Sequence, residues 1–187
     1  MKIDIYNTRE KYGIVYTDPP WEQAKGGKKA VRPNSSGKPL DYPTMNIKDI
    51  KELHRIFLLN NTDTKHNVFC WTTEKYLHET EKMFEELGYK LHIRIIYSKS
   101  GIGVSPAFTM RYTHEFLLWF YPKGNMLHNS KETRGKYPSV ITEKPTKHSR
   151  KPRIFRDILI DMFPNSKRIE LFAREYSSGF DVWGNEV

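Results

Sequence analysis

The 187 residues are 37% hydrophobic and 28% charged, enough for one domain with a substantial core and too few for two domains of comparable size. The longest unbroken apolar run is Phe116 to Tyr121 and no signal-like apolar stretch opens the chain, so the expectation is a cytoplasmic protein that neither spans nor crosses a membrane. A single cysteine, Cys70, argues against a disulfide framework or a thiolate-rich zinc site, and no metal is expected: His114-Glu115 starts like a HExxH motif but continues Phe-Leu-Leu.

In chain order, Gly13 to Thr17 is a short apolar run stopped by two prolines, which predicts a buried strand with Asp18 at its C-terminal tip. Residues 22–41 (Lys25, Lys28, Lys29, Arg32 and Lys38 against two acids) have no hydrophobic period and read as a basic loop. Asn46 is a good N-cap, and Ile47, Ile50, Leu53, His54 and Phe57 recur at helical spacing up to Asn60-Asn61. Residues 67–71 predict a second strand, and the stripe from Tyr76 to Leu87, closed by Gly88, predicts a second helix.

Tyr89 to Tyr97 alternates Leu91, Ile93 and Ile95 with His92 and Arg94, as a half-buried strand does, whereas His114 to Tyr121 is apolar enough to be buried on both faces. Residues 98–112 between them read as a loop. Residues 123–153 hold nine basic side chains against Glu132 and Glu143 and carry most of the chain's net charge of +9. A third helix is expected from Ile154 to Met162, with Pro152 near its start and Pro164 beyond its end, followed by a strand from Arg168 to Phe172. Strands alternating with helices predict an α/β fold with a mostly parallel central sheet, helices on both faces and ligands at the C-terminal strand tips. The whole of 1–187 is expected to be one such domain, with 22–41, 98–112 and 123–150 as candidate substrate-recognition segments. A charge of +9 with 13% aromatic residues suits a polyanion whose bases stack on rings.

The most informative text is Asp18-Pro19-Pro20-Trp21, since a chance match in a chain this long is about one in a thousand or rarer. The exocyclic amine of adenine is a poor nucleophile because its lone pair is delocalised into the ring, and two acceptors for its N–H bonds would free that pair. The Asp18 carboxylate is one acceptor; a carbonyl of Pro19 or Pro20 is the other, aimed by the fixed proline φ. Trp21 can stack on the base, which in a duplex must be flipped out at a cost of a few kcal/mol.

With this motif the chain resembles the DPPW-type N6-adenine methyltransferases, the family of the eukaryotic mRNA adenosine methyltransferase catalytic subunit, which has many short bacterial and phage members. The resemblance covers nearly the whole chain and includes Tyr42-Pro43-Thr44-Met45, His148-Ser149-Arg150-Lys151-Pro152, Glu170-Leu171-Phe172-Ala173-Arg174 and Trp183-Gly184-Asn185-Glu186. It implies a Rossmann-like S-adenosylmethionine-dependent fold and a cofactor site in which Asp18 participates. Lys151 would meet the methionine carboxylate, and Glu170, Arg174, Asn185 and Glu186 would hold the ribose and tail. Tyr42 of the shared motif and the stacking Trp21 are expected to meet substrate, and Lys28, Lys29 and Arg32 of the basic loop to grip its phosphates. Relatives carry an acidic residue upstream of the motif beside the cofactor adenine, and Asp4 is the counterpart here at a shorter spacing. Phe172-Ala173-Arg174 lacks the glycines usual in a methyltransferase cofactor loop, and Gly101-Ile102-Gly103 is followed by a strand instead of a helix, so it reads as a loop.

The expected function is therefore S-adenosylmethionine-dependent N6 methylation of adenine in DNA. The alternatives are the same reaction on RNA adenosine, methylation of a protein glutamine amide, and a non-catalytic nucleic-acid-binding partner subunit. Asp18 opposes the last two, as does Glu170 the last. DNA is favoured over RNA by the likeness to the short bacterial and phage members, and a homodimer or second subunit remains open.

Overall fold

The computed structural model describes residues 1–22, 43–101, 110, 112–145 and 150–187. Lys28, Lys29, Arg32, Tyr42, His148, Ser149 and Gly103 lie outside the described residues. The first strand, β1, is Tyr12–Thr17 and is buried along its full length, because it runs parallel between β2 (Thr62–Thr72) on one side and β6 (Arg168–Leu171) on the other. Helix α1 (Ile47–Asn61) starts where the sequence places it: the Asn46 side chain accepts a hydrogen bond from the Asp49 amide at 3.0 Å. A 3-10 turn, Glu74–Tyr76, leads into α2 (Leu77–Glu86), and Gly88 closes that helix at φ 87°, a conformation a Cβ disfavours.

Strand β3 (Tyr89–Lys99) pairs antiparallel with β4 (His114–Pro122), and β5 (Val140–Glu143) adds in parallel to the free edge of β3. After α3 (Ile154–Met162) and β6, the three-residue β7 (Asp181–Trp183) pairs parallel with β6. The sheet order is β5-β3-β4-β2-β1-β6-β7, and β4 alone runs against its neighbours. Ile50, Phe57, Met83 and Phe84 of α1 and α2 pack with Val68, Cys70, Leu118 and Ile169 on one face; Phe155, Ile158 and Leu159 of α3 pack with Ile14, Tyr16, Trp71 and Trp119 on the other. This is the α/β arrangement expected, with helices on both faces.

Three expectations need correction. Strand β2 begins at Thr62 instead of residue 67, because its first residues are exposed and polar and carry no apolar signal. The alternation in β3 is broken between Leu91 and Ile93, where a bulge makes His92 the extra residue. Leu91 therefore packs with the α1/α2 side and Ile95 with the α3 side. The stretch 123–150 is not all loop, since it contains β5 and a 3-10 turn at Lys131–Thr133, and the segment 98–112 begins inside β3. Part of the basic run is also neutralised within the fold: Lys136 pairs with Asp161, Arg150 with Glu175, and Arg153 with Asp157. No helix among the described residues is long and apolar enough to cross a membrane.

Candidate active site

Among the described residues six strands run one way and β4 the other, so the C-terminal tips of β1, β2, β3, β5, β6 and β7 and the first residues of β4 share one end of the sheet. A cavity of about 460 Å³ opens there, within the usual range for a small-molecule site. Asp18 and Pro20 line it from beyond β1, Phe172, Ala173 and Arg174 from beyond β6, and Trp183 to Glu186 from the end of β7. Tyr6, Pro43, Met45 and Leu53 complete its apolar wall. The two ends of the chain thus meet at one site, as a parallel sheet that gathers its tips requires.

Two backbone features shape this cavity. Phe172 adopts φ 60°, a left-handed conformation rare outside glycine, and turns the chain across the end of β6 with its ring edge-on to Trp183 at 5.4 Å. Gly184 lies so close to the neighbouring backbone that an added Cβ would stand 2.1 Å from the Ala173 carbonyl oxygen, while Ala173 donates its N–H to the Trp183 carbonyl at 2.8 Å. Only glycine permits that approach, which places Asn185 and Glu186 beside Arg174. The Arg174 Nε lies 3.6 Å from Glu186 Oε1.

Asp18 sits between this cavity and the α3 face. Its amide reaches the Leu171 carbonyl at 3.4 Å, and its Oδ2 accepts from Lys151 Nζ at 2.9 Å. The same ammonium lies 3.2 Å from Glu115 Oε2 and 5.2 Å above the Trp71 ring, and Glu115 Oε1 accepts from Lys99. Burial disfavours the Lys151 charge, but the Asp18 and Glu115 carboxylates outweigh it and hold the ammonium above its ordinary lysine range. Glu115 is likewise ionised against its burial: Lys151 and Lys99 draw its carboxyl below the usual value. Lys151 was expected at the cofactor carboxylate; it stands behind Asp18 and is not among the residues lining the cavity.

Glu170 also departs from expectation. Its neighbours Ile169 and Leu171 pack toward α1 and α2, so strand alternation turns Glu170 to the opposite face. There both its oxygens are taken by Arg156 of α3, Nε to Oε2 at 2.7 Å and Nη2 to Oε1 at 2.6 Å. The carboxylate is a buried structural partner and does not line the cavity. Trp21 is likewise engaged within the fold. It is only 7% exposed, its ring stacks on Tyr76 at 5.2 Å, and its indole N–H donates to the Trp71 carbonyl at 3.1 Å. The indole braces the turn after Pro20 and has one face already covered. The Pro19 carbonyl accepts from the Trp21 amide at 2.8 Å and the Pro20 carbonyl from the Met45 amide at 2.9 Å, so each keeps its second lone pair for another donor. Asp4 closes a local turn by accepting from the Tyr6 amide at 3.0 Å, and it is Tyr6 that reaches the cavity.

A model of one family, described as MT-A70, matches residues 12–186. The chain belongs to the MT-A70 family. This MT-A70 protein is accordingly an N6-adenine methyltransferase. It is 27% identical over 191 aligned residues to the Type II methyltransferase M.MunI of a Mycoplasma species, a match covering 96% of this chain and 79% of that protein. It is also 41% identical over 51 residues to the N6-methyladenosine RNA methyltransferase MTA1 of Cryphonectria parasitica, and 45% identical over 49 residues to that of Pyricularia oryzae. Those two matches span 26% of this chain and only 14% and 13% of the fungal proteins.

Behind the MT-A70 cavity lies a group that sequence reading placed only in a helical stripe. His54 of α1 is fully buried; its Nδ1 donates to the Ile50 carbonyl at 2.7 Å, so its Nε2 is the acceptor for the Thr17 hydroxyl at 3.1 Å. Burial lowers its pKa to about 4. The neutral ring belongs to the folded state, so below pH 6.5 the unfolded chain takes up this proton first. Up to about 3 kcal/mol of stability is then lost as pH falls from about 6.5 towards 4. Urea denaturation of His54→Gln across that window is expected to show a shallower loss with pH than the native chain. Parallel pH dependences in the two proteins would refute this assignment.

Proposed function

We propose that the protein transfers a methyl group from S-adenosylmethionine to the N6 amine of adenine in DNA, with 1–187 acting as one catalytic domain. The observation that carries this reading is the position of Asp18, whose carboxylate borders the cavity formed by the ends of β1, β6 and β7. The residues present suit the cofactor. Tyr6, Met45, Leu53, Phe172 and Trp183 offer apolar and aromatic surface to a nucleobase, while Arg174, Asn185, Glu186 and Asp18 offer the donors and acceptors that ribose hydroxyls and a zwitterionic amino acid end require. When bound, S-adenosylmethionine supplies the electrophilic methyl group.

The protein's own part is to prepare the amine. Lys151 occupies Asp18 Oδ2, which leaves Oδ1 to accept one N6 proton, and the free lone pair of the Pro19 or Pro20 carbonyl accepts the other. With both N–H bonds drawn into the plane of these acceptors, the nitrogen lone pair is released from the ring, and Asp18 can hold the proton that N6 sheds. DNA is favoured because the relative matched over 96% of the chain is a Type II methyltransferase, whereas the RNA enzymes match only about a quarter of it. Incubation with labelled S-adenosylmethionine and adenine-containing DNA or RNA, followed by nucleoside analysis, tests this directly. Label in N6-methyldeoxyadenosine is expected; label confined to RNA or to protein would overturn the substrate.

The basic segments 22–41, 98–112 and 123–150 are proposed to hold the phosphates. Log affinity for DNA should then fall linearly with log salt, and replacing Lys28, Lys29 and Arg32 together should flatten that slope. An affinity indifferent to salt would argue for a different substrate class.

A further inference from the structure

Four ionised side chains from four separate segments stand in a line behind the cavity: Lys99 at the end of β3, Glu115 at the start of β4, Lys151 before α3, and Asp18 beyond β1. The signs alternate, so each charge has an opposite neighbour and the set is neutral. Glu115 belongs to the dipeptide that, read as sequence, resembles only a truncated metal motif. The structure gives it another employment. Its two oxygens are divided, Oε1 to Lys99 and Oε2 to Lys151, and the second contact brings the Lys151 ammonium to within hydrogen-bond distance of Asp18.

We infer that Glu115 is a positioning residue for the methyl-transfer reaction: anchored by Lys99, it holds the Lys151 ammonium against Asp18 Oδ2 and so fixes the orientation of the carboxylate that receives the amine. The inference rests on the adenine-methylating role proposed for Asp18. Its physical basis is that the Asp18 side chain, alone at a strand tip, has a free rotor. A cation on one oxygen fixes the rotor and leaves the other oxygen as the acceptor. The cation in turn is buried, and the Asp18 and Glu115 carboxylates together offset that burial. The Trp71 ring beneath it, 5.2 Å away, fixes its height.

Without Glu115 the ammonium would keep Asp18 as its carboxylate partner but lose the contact that sets its position. A misplacement of order 1 Å in such a constellation costs about 100-fold in rate. Glu115→Gln is therefore expected to lower kcat by roughly 10- to 100-fold while leaving KM for DNA nearly unchanged, because Glu115 does not line the cavity. Lys151 senses the carboxylates of Asp18 from beyond β1 and Glu115 from β4, and its own charge acts on the nearby Cys70 of β2 and Tyr97 of β3. Loss of one carboxylate among them should let Lys151 shed its proton at lower pH, and the alkaline limb of the kcat profile should move with it.

The test uses the full chain and the variants Glu115→Gln, Glu115→Asp and Lys99→Met. Steady-state kcat and KM are measured on adenine-containing DNA across the alkaline pH range. The Lys151 side chain is titrated by NMR in the protein alone. The expected result is a fall in kcat for Glu115→Gln, partial recovery in Glu115→Asp, and a downward shift in the Lys151 titration. Wild-type kcat with an unmoved alkaline limb, or an unmoved Lys151 titration, overturns the inference. If Glu115→Gln does not fold by circular dichroism, Lys99→Met decides: it should shift the Lys151 titration in the same direction by less, and an unmoved titration again overturns the inference. A wild-type protein that fails to methylate DNA would instead remove the proposed function, leaving the NMR arm to decide whether Glu115 positions Lys151.

Discussion

Asp18→Ala is expected to lower the rate of N6-methyladenine formation by about 10²–10³-fold or more, the usual effect of removing one aligned hydrogen-bonding group from a reacting centre. The substitution removes the acceptor for the amine and also the anion that Lys151 holds at 2.9 Å. Asp18→Asn separates the two effects, since its amide keeps an acceptor oxygen but neither charge nor the ability to take up a proton. Both variants should retain most of the thermal stabilisation that S-adenosylmethionine confers, because the aromatic and polar lining contributed by Phe172, Arg174, Trp183, Asn185 and Glu186 is untouched. Single-turnover measurement of methylated adenine provides the check. Near-native turnover in Asp18→Ala would remove the mechanism.

The largest effect on stability is expected at Glu170. Its carboxylate and the Arg156 guanidinium are both almost wholly buried and share two short hydrogen bonds, and Arg156 also lies 5.5 Å over the Tyr16 ring and 3.7 Å from Glu175. Burial opposes the arginine charge, and Glu170 overcomes it, holding the guanidinium above its ordinary range. Glu170→Gln removes the paired carboxylate, leaves that buried cation with Glu175 at 3.7 Å as its anionic neighbour, and should cost about 3–5 kcal/mol, read as a lower urea midpoint at unchanged slope. Replacing both members with apolar residues of similar volume, Arg156→Met with Glu170→Leu, should recover most of the loss, because neither charge then needs a partner. If Glu170→Gln instead left stability intact and abolished the thermal shift with S-adenosylmethionine, Glu170 would have to be returned to the cofactor site.

These two residues mark how far the sequence could be read. Asp18 was legible because its position follows from local rules: an apolar run, a proline stop, and an acid between them. The caps at Asn46 and Gly88 are local in the same sense, and α1 starts and α2 ends where those residues require. Glu170 was misplaced because its partner lies in a different layer, and no periodicity within a four-residue strand says that an arginine of α3 awaits it. Strands β5 and β7 were missed because four and three residues are too few to display a period. His92 broke the reading of β3 because a bulge changes strand parity without altering composition. The apolar wall from Tyr6 and Leu53 was invisible for a further reason: each looks like an ordinary packing residue until the strand tips converge on it.

The reversed direction of β4 has a consequence for how such an enzyme can diversify. Where a parallel strand delivers its last residues to the ligand end of the sheet, β4 delivers its first, and β3 beside it finishes at the same rim. The last residue of β3, Lys99, and the second residue of β4, Glu115, therefore meet at this rim, where they form one end of the neutral line of charges that leads to Asp18. Residues inserted or exchanged there would alter what the rim presents to a polynucleotide without lengthening any strand or moving a helix. A change at the ends of β3 and β4 would thus act at the rim, while Asp18 and the cavity behind it stay the same.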